Sequence, residues 1–135
     1  KIEAGSKCSN TITHTDLFAT CAELADVELP EAAAEDSFSW VPLFKGEFDQ
    51  FERAPVINHS ANGTFAIRDG EWKLVLGNGS GGREKPRGKP FGKPYQLYDL
   101  ENDLGEKKNL SEKYPQIVSR LSAMCMAIRA AGRSR

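Results

Sequence analysis

Residues 54–77 read Ala-Pro-Val-Ile-Asn-His-Ser-Ala-Asn-Gly-Thr-Phe-Ala-Ile-Arg-Asp-Gly-Glu-Trp-Lys-Leu-Val-Leu-Gly, and the rest of the chain is organised around this stretch. Phe65 and Ile67 alternate with small or polar residues, and Trp72, Leu74 and Leu76 repeat the pattern. A period of two puts alternate side chains on one face of a sheet. Asp69-Gly70 stands between the two runs and predicts a tight type I′ turn, in which both central residues take positive φ. Asn62-Gly63 is a second turn signal of the same kind. The expectation is three antiparallel strands at 55–59, 64–68 and 71–76, joined as a meander.

Working outward, residues 95–100 alternate again and predict a fourth strand. Pro115 suits a first helical turn, where its missing N–H costs nothing. Ile117, Leu121, Met124 and Ile128 then recur at helical spacing, widened by Val118 and Cys125. Gly132 is a natural residue just beyond a helix end, and Arg129 sits where the dipole favours a cation. A helix at 115–131 is therefore expected to cover one face of the sheet. Upstream, Thr15 and Asp16 offer a cap and an acidic first turn. Leu17, Phe18, Cys21, Leu24 and Ala25 form the apolar stripe of a helix at 16–25, which Leu29-Pro30 terminates. Residues 10–14 read as a short strand, and 31–36 as a surface loop. Residues 37–46 form an apolar linker carrying Phe38, Trp40, Val41, Leu43 and Phe44, with one helical turn at 41–45 closed by Gly46. Residues 78–94 have no periodicity and read as a long, flexible surface loop. The fold class is α+β: a four-stranded antiparallel sheet packed by a C-terminal helix, preceded by a helix-containing segment. The boundary between the two parts is set at 50/51.

The chain has 135 residues, is 39% hydrophobic and 27% charged, and carries a net charge of −1, so its totals fit one soluble core with no field to attract nucleic acid or membrane. No apolar run approaches the ~20 residues of a spanning helix. The start, Lys1-Ile-Glu-Ala-Gly5, lacks both a methionine and an apolar leader, which reads as a piece of a longer protein. Cys8, Cys21 and Cys125 have no C-x-x-C spacing. Cys21 and Cys125 are expected as small buried groups on helices.

No nucleophile elbow, phosphate loop or metal-ligand spacing is present, so no catalytic and no metal-binding residue is assigned. Of the two histidines, His14 at a helix start reads as structural. His59 ends a strand before the Ser60–Gly63 turn, where binding groups collect. His59 and Ser60 are the candidate substrate-binding residues. The glycine-rich run Gly77–Gly82 offers backbone N–H groups to an anion, or is a flexible tip. Arg83, Lys85, Arg87, Lys89 and Lys93 face only Glu84 in the same loop. They read either as solvated charges or as an electrostatic guide for an anionic ligand. Asp99, Glu101 and Asp103 lack the spacing of a calcium loop and read as a turn. Asn58, Asn62, Asn78 and Asn109 each open an N-x-S/T sequon, which matters only in a eukaryotic secretory pathway.

The order of several phrases resembles the C-terminal portion of the type I, arylsulfatase A-like sulfatases, near N-acetylgalactosamine-6-sulfatase relatives. Thr13–Thr20 with Ala22–Ala25 is similar to a segment near the end of the family's large α/β domain, except that Ala19 stands where a proline is usual. Ser39–Gly46 is similar to a run ending in Lys-Gly before the final subdomain. Phe65–Leu74 resembles the hairpin that opens the C-terminal sheet, and Gln96–Leu100 with Glu106–Leu110 its closing strand and the turn into the last helix. The resemblance implies that residues 1–50 end a catalytic α/β domain and that 51–135 form a C-terminal subdomain. It implies a parent enzyme that hydrolyses sulfate esters with a formylglycine, made from the cysteine or serine of a C-x-P-x-R motif, and a calcium ion. It also implies an exported location (periplasmic, extracellular or lysosomal). The expected partners are the catalytic domain of the same chain and sulfated carbohydrate, with no nucleic acid and no membrane. None of the three cysteines stands in C-x-P-x-R. The expectation is therefore a fragment without cofactors and without activity of its own. The rival expectation is a stand-alone module that binds anionic polysaccharide through the basic loop.

Overall fold

A computed structural model describes residues 2–135. Lys1 lies outside the described residues. The chain divides into two compact units, one of residues up to Ala54 together with Gly132–Arg135, the other Pro55–Ala131.

The second unit is the meander. Strands β1 (Val56–His59), β2 (Phe65–Asp69), β3 (Trp72–Val75) and β4 (Gln96–Asp99) pair antiparallel in the order 1-2-3-4. The bounds differ from those expected by no more than one residue at either end, the ordinary scatter of strand ends. Ile57, Ile67, Leu74 and Leu97 stand in one cross-strand row. Helix α3 (Pro115–Ala131) lays Leu121 and Cys125 against that face, and both are fully buried with Ile67, Leu74, Leu76 and Leu97. Ile117, Val118 and Met124 pack around this core, as their spacing requires. Beyond β4, Asn109 Oδ1 accepts the Leu97 N–H at 3.0 Å, and the Leu110 N–H donates to the Leu97 carbonyl at 2.8 Å. These bonds satisfy an edge that water would otherwise have to serve. Gly132 takes φ 72 just beyond the helix, where only glycine fits without strain.

The β2–β3 turn differs from the expectation by one residue. Asp69 pairs with Trp72, so Gly70 and Glu71 are the central pair. Of the two only Gly70 has positive φ, at 59°, the pattern of a type II′ turn with glycine first. The two-sided apolar alternation places Asp69 in the strand, and register outweighs the local preference of Asp-Gly.

Residues 77–90 also differ from the expected flexible loop. They form a braced irregular ribbon in which Gly77 bridges Pro90, the Ser80 N–H donates to the Pro86 carbonyl, and the Gly81 N–H donates to Arg87. Gly79 and Gly88 meet backbone to backbone: a methyl group on Gly79 would lie 2.4 Å from the Gly88 nitrogen. The glycines are there for close approach, a use that leaves no periodic signal.

The first unit is built on a buried carboxylate. Helix α1 (Asp16–Leu24) turns Asp16, Ala19 and Thr20 inward, and not the apolar stripe expected to be its buried face. Leu17, Phe18 and Leu24 are 51%, 58% and 63% exposed, and Cys21 is exposed with them. Asp16 accepts the Thr13 N–H at 2.8 Å, the Phe38 N–H at 3.2 Å and the Trp40 indole N–H at 3.3 Å. Arg53 donates to it from Nε at 3.0 Å and Nη2 at 2.8 Å. Thr20 Oγ1 donates to the Asp16 carbonyl and accepts the Trp40 N–H, and Ser37 Oγ accepts the Ala19 N–H. A face that can satisfy this many donors is the one that can be buried. Thr15 makes no side-chain cap. The expected strand at 10–14 is absent, because Thr13 gives its N–H to Asp16 and its hydroxyl accepts from Arg53. Helix α2 (Val41–Lys45) ends at Gly46, φ 82, as its sequence requires. The tail returns to this unit, where the Ser134 N–H donates to the Glu35 carbonyl and to Asp36 Oδ1.

Candidate functional site

The sheet face opposite α3 holds a cavity of about 330 Å³. Strand register builds its floor: Asn58, Ala66, Val75 and Gln96 form one cross-strand row, and Lys73 and Tyr98 pair in the next. Its rim is made by Ser60 and Thr64 from the β1–β2 turn, by Gly79 and Ser80 from the ribbon, and by Glu106.

Both sequence candidates line this cavity. The β1–β2 turn places them: Asn62 Oδ1 accepts from the Ser60 hydroxyl at 2.7 Å, the Thr64 N–H at 3.1 Å and the Thr64 hydroxyl at 2.8 Å. Ser60 thus spends its proton on the turn and offers the cavity only lone pairs. His59 is exposed, with its ring 5.8 Å from that of Phe65. Its Nδ1 lies 3.2 Å from the Ser60 carbonyl. A carbonyl only accepts, so Nδ1 carries the proton, and Nε2 of the neutral ring is left as an acceptor. Of the Gly77–Gly82 run, Gly79 and Ser80 reach the cavity. His14 is exposed at the start of α1.

Lys73, Gln96, Tyr98, Asn58 and Glu106 escaped the sequence reading. Lys73 Nζ pairs with Glu106, 33 residues away, so the one lysine on the floor is neutralised by its neighbour. Gln96 donates through Nε2 to the Gly77 and Gly79 carbonyls at 3.0 and 2.9 Å, and its Oε1 accepts the Tyr98 hydroxyl at 3.0 Å. Burial, then the nearby Glu106 and Asp103 carboxylates, push the Tyr98 phenol up, so it remains a protonated donor. Asn58, Lys73, Gln96 and Tyr98 all fall at alternate positions of their strands. The polar half of the alternation was the signal for them. Glu106 had none, because only the tertiary fold brings it to Lys73. The lining is therefore a set of neutral hydrogen-bonding groups beside an internally compensated ion pair. Such a set can hold and orient hydroxyl-bearing groups.

No family model matches the chain. N-acetylgalactosamine-6-O-sulfatase of Bacteroides thetaiotaomicron is 32% identical over 116 residues, covering 84% of this chain and 22% of that protein. Human arylsulfatase K is 25% identical over 127 residues, covering 86% of this chain and 22% of its own length. A solved Bacteroides thetaiotaomicron structure, described under the metabolism of multiple glycosaminoglycans, superposes with a TM-score of 0.68 at 30% identity, over 85% of this chain and 24% of that one. This chain is related to the sulfatases. The structure of Ps i-CgsB, at 23% identity and a TM-score of 0.58, shares the fold. The sulfatase-related chain spans about a fifth of the length of the curated relatives it matches, 22% in each case.

A sulfatase of this type implies formylglycine and calcium, and the residues of this chain do not fit either. Cys8 precedes Ser-Asn-Thr-Ile, Cys21 precedes Ala-Glu-Leu-Ala, and Cys125 precedes Met-Ala-Ile-Arg. Cys125 is buried, which raises its thiol above the usual range despite the opposing charge of Arg129. Of the pair expected to be buried, Cys21 is instead exposed with the outer face of α1. Among the described residues no three His, Cys, Asp or Glu side chains gather around one point. Asp99, expected in a turn, accepts the Glu101 and Asn102 N–H groups, and the Asn102 amide, followed by these N–H bonds, holds its carboxyl below the usual value against the opposing cost of desolvation. Three of the four sequon asparagines also brace backbone: Asn62, Asn78 (which accepts the Lys89 N–H at 2.8 Å) and Asn109.

Proposed function

We propose that this chain is the C-terminal part of an exported sulfatase (periplasmic, extracellular or lysosomal) that acts on sulfated carbohydrate, and that its sheet-face cavity lends a wall to the substrate cleft. The match that spans 84% of the chain at 32% identity carries the reading. In it, formylglycine and calcium belong to the catalytic α/β domain of the same protein. The exposed apolar face of α1, with Leu17, Phe18 and Leu24, supports a packing partner of that kind, since a contiguous apolar face is unfavourable in water. The neutral lining of the cavity suits sugar hydroxyls, with His59 Nε2 and Ser60 Oγ as acceptors and Tyr98 near the Gln96 amide.

Two expectations follow. The 135-residue chain alone is expected to turn over no sulfate ester, because its sequence has no C-x-P-x-R nucleophile motif and its described residues gather no set of metal ligands. Turnover above that of a heat-denatured sample would refute this. In the longer enzyme, His59→Ala lowers kcat/KM about two- to tenfold, mainly through KM, as expected for one neutral hydrogen bond of about 0.5–1.5 kcal/mol. Identical constants for the variant and the parent would remove His59 from the cleft.

A further inference from the structure

The ribbon that leaves the cavity rim at Gly79 and Ser80 carries charge that no carboxylate of the fold or the cavity compensates, although Lys93 lies 5.8 Å over the Tyr95 ring. Arg83, Lys85, Arg87 and Lys89 stand at every second residue, followed by Lys93, and all five are exposed. Among the described residues none of the five is in an ion pair. Glu84 is the one carboxylate in the segment. The ribbon is also held in shape. The bonds from Ser80 and Gly81 to Pro86 and Arg87, the Ser80 hydroxyl to the Glu84 carbonyl, and the Gly79–Gly88 contact fix the backbone beneath the cations. Uncompensated like charges close together raise the free energy of the protein, and a multivalent anion relieves that cost. A braced backbone loses little further entropy when such an anion binds.

We propose that residues 83–93 form a second site, for a polyanionic polysaccharide, which holds a sulfated or uronate-bearing chain beside the sheet-face cavity. The choice of polysaccharide rests on the sulfatase reading above; the cationic ribbon does not. The segment offers no exposed aromatic ring on which nucleic-acid bases would stack. Between residues 83 and 89 it has no apolar side chain besides Pro86 to insert into a bilayer. The cavity then receives the neutral hydroxyl face of one sugar, and the ribbon receives the charges of its neighbours. This makes the ribbon a device for polymer over monomer.

The test compares the chain with a variant in which Arg83, Lys85, Arg87 and Lys89 are all alanine, and with a charge-preserving Lys85→Arg/Lys89→Arg variant. Binding to chondroitin sulfate is titrated at several salt concentrations, with dextran as the neutral polymer and duplex DNA and anionic phospholipid vesicles as other polyanions. The parent chain and the arginine variant are expected to bind chondroitin sulfate, with affinity falling as salt rises. The alanine variant is expected to bind at least about tenfold more weakly at low salt and with a flatter salt dependence. Equal binding by all three, no binding by the parent, or loss of the arginine variant's binding would overturn the proposal. Tighter ribbon-dependent binding to DNA or vesicles than to chondroitin sulfate would overturn the choice of partner. In the longer enzyme, the same alanine variant should hydrolyse a sulfated monosaccharide normally and a polymer poorly. Normal action on both would sink the ribbon and leave the sulfatase reading standing, whereas no action by the parent enzyme on either substrate would sink that reading.

Discussion

Arg53→Ala is expected to destabilise the N-terminal unit by about 3–5 kcal/mol, the usual consequence of removing one partner from a buried ion pair. Asp16 is wholly buried and the Arg53 side chain is 8% exposed. Without Arg53 the carboxylate keeps the Thr13, Phe38 and Trp40 donors but loses two charged ones. The guanidinium also lies 5.0 Å over the Phe38 ring and donates to the Ala54 carbonyl, so packing is lost with charge. Arg53→Lys should recover part of the loss, because a lysine cannot reproduce the fork that meets both carboxylate oxygens. Replacing both partners by apolar residues of similar volume should recover more than Arg53→Lys does. The shift of the urea midpoint measures each. A loss below about 1 kcal/mol for Arg53→Ala would show that the pair is solvated in solution.

The same pair sets an acid limit. Burial pushes the Asp16 carboxyl up, but the bonds from Arg53, Thr13 and Trp40 together outweigh it and hold the group below the ordinary carboxylate range. A group depressed on folding contributes stability that is complete above the unfolded value of about 3.9 and is lost as pH falls through the folded value. The parent chain should therefore lose stability on acidification below about pH 4. In Arg53→Ala burial acts with less opposition and the dependence should weaken or reverse. Parallel pH profiles for the two proteins would count against this account.

Leu121→Ala is the second large effect, expected at about 2–5 kcal/mol from lost transfer energy and the cavity left behind. Leu121 is completely buried, and it meets Ile67, Leu74, Leu76 and Leu97 where α3 crosses the sheet. Ile67, Leu74 and Leu97 come from three strands in mutual register, which cannot collapse inward without breaking their ladders. The control is Met126 on the same helix, 45% exposed, where alanine should change stability by less than about 0.5 kcal/mol. Equal costs at the two positions would mean that α3 does not lie on the sheet through Leu121.

The sequence alone determined the second unit's meander and its covering helix, because both depend on periodicity: alternation in 56–76 and 96–99, and the spacing of Ile117, Leu121 and Met124. It also placed the chain near the sulfatases, through phrases spread along its length. What it misread are features set by what lies across the fold. An apolar stripe on α1 showed that a face is apolar, but the hydrogen bonds to Asp16 and Thr20 decided which face is buried. The glycines of the ribbon carry no period, and only the meeting of Gly79 with Gly88 turns them from a flexible tip into a braced support for the cations. In the cavity, Lys73 and Tyr98 stand at alternate positions of β3 and β4, a signal that the sequence reading left unused. Whether Lys73 is a free cation or half of an ion pair depended on Glu106, which is distant in sequence and adjacent only once β4 and the turn after it are in place. Local pattern specifies which side chains share a face; electrostatic state is a property of neighbours, and neighbours are supplied by tertiary structure.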